Sequence, residues 1–143
     1  MNIKQISIKT ENISGKLSYL SDILGQQGVN IRAISVGVHT SSNISLVHMV
    51  VDDTKKAVNA LKAKGIEFDL SDVLAVEMPD HPGGMNAVLR PLRDGGINVI
   101  SMYPYIGKAS RPIMVLKVDN LVKAIEVLKR NWVRIWDESI YRL

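Results

Sequence analysis

The residues best suited to bind a ligand form one short polar loop, Asp80-His81-Pro82-Gly83-Gly84-Met85. It follows an alternating apolar stretch and precedes residues at helical spacing. A glycine at a strand-to-helix turn lets backbone N–H groups approach a ligand closely. The helix N-terminus behind it carries unpaired donors and a positive dipole end, which suit a carboxylate. The loop therefore predicts a site for a small carboxylate ligand.

A second loop of related composition lies near the N-terminus, with the residues Asn12-Ile13-Ser14-Gly15-Lys16-Leu17. Some way after each loop come a glycine, an apolar residue and an asparagine, in Gly28-Val29-Asn30 and Gly96-Ile97-Asn98. If the ligand is a free amino acid, its ammonium group needs an acceptor. Asp80, or the amide oxygens of Asn12, Asn30 and Asn98, can serve. The alternative is that these stretches are only turns, because Gly, Pro and Asn dominate turns.

The two loops belong to an internal repeat. At an offset of 68 residues, Gly15, Leu24, Gly28 and Asn30 fall on their counterparts Gly83, Leu92, Gly96 and Asn98. Later in the copies the offset is 67, and residues 51–62 match residues 118–129. The change of offset means that the second copy lacks one residue between the matching stretches, in 39–43 of the first copy and 107–111 of the second. This predicts a loop there, because loops tolerate changes in length. We therefore divide the chain into 1–71 and 72–143.

Each copy has the periodicity of six elements. In the first copy, Leu17, Leu20 and Leu24 indicate a helix that Gly28 ends, and Ala57, Val58 and Leu61 indicate a second helix that Gly65 ends. The predicted strands of this copy are 4–9, 29–38, 44–51 and 66–70. The predicted elements of the second copy are 73–78, 84–94, 97–106, 112–118, 120–130 and 133–136. Pro91 lies inside the first of its helices and predicts a kink or a broken turn.

The order βαββαβ predicts a fold of the α+β class, with two tandem ferredoxin-like modules. In each module, two helices cover one face of a four-stranded antiparallel sheet. The other face, on which we place Ile34, Val36, Met102 and Tyr103, is apolar and needs a cover. This predicts a homodimer that uses the open face. Tyr103 and Tyr105 alternate on one strand, and we interpret them as packing residues.

The chain resembles the ACT family, whose signature is a strand, an acidic residue, a Pro-Gly turn, a helix and then Gly-apolar-Asn-apolar. The second copy is the closer match, whereas the first has Glu11-Asn12 at the acidic position and Ser14 in place of the proline. The resemblance implies a regulatory module that binds an amino acid at a seam between paired modules, where the motif loops meet. It further implies a free-standing sensor that is not an enzyme and that acts in trans on a metabolic enzyme or a transcription system.

Composition and charge weigh against other classes of protein. The net charge of +4 is divided evenly, with eight basic and six acidic residues in 1–71 and ten and eight in 72–143. We expect no nucleic-acid partner, although two RNA-binding modules of the RRM type remain an alternative, as does a small enzyme on this scaffold. There is no cysteine, and the histidines are far apart, so we expect no metal and no cofactor. No apolar run predicts a membrane span, and we expect a cytoplasmic protein.

Overall fold

The structure is a computed structural model that describes residues 2–38 and 42–143. It divides into two compact units, one formed by Lys4–Ser71 and the other built on Asp72–Leu143. We describe them as the first and the second module. Part of the turn predicted at 39–43 lies outside the described residues.

The first module contains three strands and two helices in the predicted order: β1 (Ile3–Glu11), α1 (Lys16–Gln26), β2 (Ile31–Val38), β3 (Ile44–Val51) and α2 (Thr54–Ala63). Strand β3 pairs in antiparallel fashion with both β1 and β2. Helix α2 begins at an N-cap, since the carboxylate of Asp53 accepts a hydrogen bond from the Lys56 N–H. The core lies between the helices and the sheet, where Ile6, Val47 and Met49 pack against Leu24 and Leu61.

The second module repeats this arrangement with β4 (Asp69–Glu77), α3 (Asn86–Asp94), β5 (Val99–Pro104), β6 (Ile113–Val118), α4 (Leu121–Arg130) and β7 (Ile135–Trp136). Its antiparallel sheet has the order β5, β6, β4, β7. Asn120 caps α4 as Asp53 caps α2, by accepting a hydrogen bond from the Lys123 N–H. Leu74, Leu92 and Leu128 are at most 1% exposed and lie in the core between sheet and helices.

Two predicted elements differ from the structure. Residues 66–68 do not form a strand; Asp69 and Leu70 begin β4, which continues to Glu77. Ile66 and Phe68 instead pack against the core of the first module, which accounts for their apolar pattern. Helix α3 continues through Pro91 to Asp94, so the predicted broken turn is wrong.

The predicted open face is also wrong for three of its four residues. Beta-bulges interrupt β2 between Ile31 and Ala33, and β5 between Val99 and Ser101. A one-residue shift reverses the face of every later side chain. As a result Ile34, Val36 and Met102 lie on the helix side of the sheet. Their paired residues on the neighbouring strands are Met49, Val47 and Leu116, which belong to the cores on that side.

Tyr103 does lie on the face opposite the helices, beside Val115, but it is buried. The C-terminal 3-10 turn, Glu138–Arg142, provides part of the cover on this side of the second module. The Tyr105 hydroxyl donates a hydrogen bond of 2.9 Å to the carbonyl oxygen of Ile140, whose side chain is fully buried. This turn had not been predicted, and it makes both tyrosines packing residues, as expected.

Candidate functional site

The loop between β4 and α3 is held by its own backbone. Gly83 has a φ of 77°, the left-handed region that favours glycine, and a Cβ there would meet nothing within 4 Å. Gly84 is constrained differently, because a Cβ on it would lie 2.1 Å from the carbonyl oxygen of Pro79. Its N–H donates to the carbonyl of His81 at 2.9 Å, and the Asn86 N–H donates to Gly83 at 3.1 Å. Gly83 thus leaves open space before the helix, while Gly84 closes the turn.

The side chains of this loop have different roles. The His81 Nδ1 donates a hydrogen bond of 2.9 Å to the carbonyl oxygen of Pro82, so this histidine fastens the loop to itself. The Asp80 carboxylate is exposed and takes part in no hydrogen bond or ion pair of the described residues. Met85 provides the N-cap position of α3 and supplies no side-chain cap. Asp80 is therefore the one loop side chain with a charge available to a ligand.

The loop of the first module has the same backbone turn but less free chemistry. Gly15 stands at the N-cap of α1 with a φ of 89°, as Gly83 stands before α3. The Asn12 amide oxygen, proposed as an acceptor, already accepts a hydrogen bond of 3.3 Å from the Ser45 hydroxyl. Its N–H donates to the carbonyl of Asn43 at 2.9 Å. The other predicted residues here, Ile13, Ser14, Lys16 and Leu17, are partly or largely exposed.

Asn30 and Asn98 lie far from the loop of their own module. The backbone N–H of Asn98 donates to the Asp119 carboxylate at 3.0 Å, and the Asp119 N–H donates back to the Asn98 carbonyl at 3.1 Å. Asn30 forms the same reciprocal pair with Asp52. The loop of the second module starts beside Pro112, at the other end of β6. The seven residue steps from Pro112 to Asp119 span roughly 23 Å.

One module therefore cannot bring its own loop and its own asparagine to one small ligand. The prediction that they meet requires two modules or two chains, and it stays a prediction. Both asparagine side chains are exposed and make no hydrogen bond among the described residues.

Two cavities flank the loop of the second module. One, of about 660 Å³, lies between α3 and α4 and is lined by Gly83, Arg90, Lys123 and Arg130, among others. The other, of about 260 Å³, lies between Asp80 and the hairpin that joins β5 to β6, where Tyr105, Ser110 and Arg111 contribute. Sequence reasoning missed Ser110 and Arg111 because it treated the hairpin only as a connection, and it interpreted Tyr105 as a packing residue. The available signal was the charge of Arg111, because the strand register gives it the uncharged counterpart Ile44 in the first copy.

Other candidate chemistry is accounted for by the fold. The His48 Nδ1 lies 2.9 Å from the Ser7 hydroxyl, so this histidine is bound within the sheet of the first module. Burial raises the pKa of the Tyr103 hydroxyl far above its usual value, and a buried ring offers no surface on which a base could stack. Across residues 2–38 and 42–143, no group of three or more metal-ligating side chains occurs. No helix in the described part of the chain is long and apolar enough to span a bilayer.

The fold and the repeated loops define a class of protein with two ferredoxin-like modules in tandem on one chain. Within that class, the family model of the ACT domain pair matches residues 1–142. The chain therefore belongs to the ACT domain pair family, and its fold is two tandem ACT modules, as the resemblance implied. ACT domain pairs are regulatory domains.

Solved structures share this fold. A protein from Bacteroides thetaiotaomicron is 30% identical, with a TM-score of 0.90, over 100% of this chain and 98% of that one. The regulatory subunit of aspartate kinase from Thermus flavus is 17% identical, with a TM-score of 0.61, over 92% and 94% of the two chains. The Thermus thermophilus regulatory subunit is 15% identical, with a TM-score of 0.64, over 90% and 91%. No curated protein sequence matches the chain.

Proposed function

We propose that this chain is a regulatory protein without catalytic activity that binds a free amino acid at the Asp80–Met85 loop. The observation that carries the proposal is the loop itself. Gly83 holds a left-handed turn with open space before α3, and the exposed Asp80 carboxylate stands beside it. The N–H groups of Gly84 and Asn86 are engaged within the turn, which leaves those of Gly83 and Met85 without a partner among the described residues. Such backbone donors and a nearby carboxylate are what the two charged groups of an amino acid require.

The rival functions have less support. An RNA-binding sheet would need exposed aromatic rings, whereas Tyr103 and Tyr105 are buried. An enzyme would need reactive side chains gathered in a cleft, and His81 is bonded to its own loop. We further propose that the ligand-bound protein acts in trans on a metabolic enzyme, as regulatory subunits do. The cytoplasmic location expected from the sequence stays a prediction.

The test is calorimetry with the twenty standard L-amino acids, supported by thermal shifts, on the unmodified protein and two matched variants. Gly83→Val adds a branched side chain where the ligand would approach the backbone, and binding should be lost. Gly15→Val is the control, because Gly15 has the same left-handed backbone and equally open space in the first module. It should cost similar stability and leave binding intact. If no amino acid binds at millimolar concentration, the proposal fails.

Asn98→Ala tests whether a second chain completes the site. We expect weaker binding if Asn98 of a second chain reaches the ligand, because a hydrogen bond is lost. That loss corresponds to about twofold to twelvefold in affinity for a neutral bond. A ligand held by the second module alone should be unaffected, since Asn98 lies roughly 23 Å from the loop. The two outcomes are mutually exclusive for any ligand as small as an amino acid.

We also propose a homodimer, now through the edge of the first module. Ile34, Val36 and Val38 alternate along β2 and are 38–52% exposed. Such a row on an edge strand favours association. Light scattering should show about twice the 15.8 kDa chain mass, and Val36→Lys should give the monomer. Val122→Lys, on an exposed residue of α4, is the control that should leave the dimer intact, and a monomeric unmodified protein would contradict the proposal.

A further inference from the structure

The cleft between the loop and the hairpin of the second module has an apolar floor and charged edges. Tyr105 and Ile113 form the floor and are 8% and 4% exposed. The Tyr105 hydroxyl is engaged with Ile140, which fixes the ring in place. Asp80 and Arg111 both line the cleft and are exposed. The cleft therefore presents one carboxylate and one guanidinium above a fixed apolar surface.

These two opposite charges do not neutralise each other. Neither side chain takes part in an ion pair or hydrogen bond of the described residues, although both line a cavity of only about 260 Å³. A carboxylate and a guanidinium that face one cleft without pairing match a ligand with both an ammonium and a carboxylate group. Arginine suits the carboxylate because its planar fork can donate two parallel hydrogen bonds.

The larger cavity on the other side of the loop does not have this complementarity. Arg90 and Lys123 line it without ion-pair partners in the described chain. Its one acidic lining residue, Asp94, is bound to Arg93 at 2.9 Å. An ammonium group would find no available carboxylate there.

The first module lacks the pair of charges. The register of β1 with β3 and of β4 with β6 puts Asn12 at the place of Asp80 and Ile44 at the place of Arg111, so neither position is charged. Asn12 is used internally, because its N–H donates to the Asn43 carbonyl and its side chain accepts from Ser45. The pair of charges at these two positions thus occurs in the second module and not in the first.

We propose that the cleft between Asp80 and Arg111 holds the zwitterionic head of a free α-amino acid. Asp80 accepts hydrogen bonds from the ammonium group, and Arg111 donates to the carboxylate. The side chain of the ligand lies toward Tyr105 and Ile113. This inference rests on the proposed function but goes beyond it, because it assigns the carboxylate to the hairpin rather than to the helix N-terminus. The cleft is smaller than the about 300–1,000 Å³ of drug-sized sites, as suits one amino acid.

The experiment measures amino-acid affinity by calorimetry in the full chain and in three variants. The probes are the twenty standard L-amino acids, and for each one that binds, its amine without the carboxylate and its acid without the amino group. Asp80→Asn and Arg111→Gln keep size and remove one charge each. Asp22→Asn, which removes one exposed carboxylate from α1 of the first module, is the control, and thermal unfolding verifies that every variant is folded.

We expect Asp80→Asn and Arg111→Gln each to weaken amino-acid binding about 10- to 100-fold, as for a hydrogen bond to a charged group. Asp22→Asn should leave the affinity unchanged. The amine should bind the unmodified protein and Arg111→Gln equally well, and the acid should bind equally well to the unmodified protein and Asp80→Asn. This pattern assigns each charge of the ligand to one residue.

Three results would overturn the inference, and they are distinguishable. If an amino acid binds and neither substitution changes its affinity, the cleft is not the site and Asp80 does not bind the ammonium group, although a regulatory protein that binds an amino acid elsewhere remains. If only Asp80→Asn weakens binding, the carboxylate does not contact Arg111, and the assigned orientation is wrong. If no amino acid binds the unmodified protein, the inference and the proposed function both fail.

Discussion

Replacing Trp132 with glycine is expected to stabilise the second module. Trp132 has a φ of 62°, the one left-handed backbone among the described residues other than glycine. At the 67-residue offset its counterpart is Gly65, with a φ of 68°. Each ends the second helix of its module, and the Trp132 N–H donates to the Lys129 carbonyl at 3.0 Å. The fold thus requires the same backbone at both positions, and only the first module provides it with glycine.

The magnitude follows from three contributions. A side chain in the left-handed region costs about 1–2 kcal/mol. Replacement by glycine removes this cost. It also makes the unfolded chain more flexible, which destabilises the folded module by about 0.4–1 kcal/mol. The Trp132 side chain is 95% exposed, so its removal forfeits little packing. The midpoints leave a net stabilisation of about 0.8 kcal/mol. If the module unfolds by itself, that raises its Tm by about 3–6 °C.

Urea unfolding and calorimetry of three variants can test this reasoning. Trp132→Gly should be the most stable, and Trp132→Asn should follow, because asparagine tolerates the left-handed region. Trp132→Ala keeps the backbone strain while removing the ring, so it should lie within about 0.5 kcal/mol of the unmodified protein. If the glycine and alanine variants are equally stable, relief of backbone strain does not control the stability at this position. If both are clearly less stable, the indole ring makes contacts that its exposure does not reveal.

Three further predictions concern the modules themselves. Gly84→Ala should destabilise the second module by about 3 kcal/mol in urea unfolding, because the new Cβ would lie 2.1 Å from the Pro79 carbonyl oxygen; an unchanged midpoint would mean that the loop yields freely. Asp53→Ala and Asn120→Ala should each cost about 1 kcal/mol in the same assay, since each removes a helix N-cap; unequal losses would contradict equivalent caps. Because burial raises the pKa of Tyr103, the folded state holds its proton longer than the unfolded state. Stability should therefore fall as pH rises above about 10, and less so in Tyr103→Phe, as measured by unfolding at each pH.

Local signals in the sequence predicted most of the elements. Glycine stops depend on a few neighbouring residues, and the helix ends predicted at Gly28 and Gly65 are observed for that reason. The repeat added strength, because each copy supports the interpretation of the other. The effect of Pro91 on the helix was overestimated from the sequence, which predicted a kink or a broken turn. The proline stands in the sixth position of α3, and the turns on both sides of it remain helical.

The errors concern properties that depend on pairing between distant residues. Nothing in the neighbourhood of Arg32 signals the bulge that reverses the faces of β2, because a bulge depends on the partner strand. The role of Arg111 depends likewise on a hairpin that brings it to the same cleft as Asp80, 31 positions earlier in the chain. The C-terminal turn over Tyr105 was missed because its interaction is also long-range.

The duplication makes it possible to separate residues that the fold requires from residues that it does not. Asn30 and Asn98, which belong to the motif in both copies, form the same reciprocal backbone pair with Asp52 and Asp119. Their position therefore has a structural explanation that applies equally to both modules, and their presence alone is weak support for a ligand.

Asp80 and Arg111 have no such explanation. The first module has the neutral Asn12 in place of Asp80, and the strand register puts Ile44 in place of Arg111, so the fold does not need these charges. Opposite charges on one cleft would have a structural role if they formed an ion pair. Asp80 and Arg111 form no ion pair among the described residues. Where the two copies differ in charge without a consequence for the fold, binding is the better explanation. That reasoning favours the second module as the one that recognises the ligand.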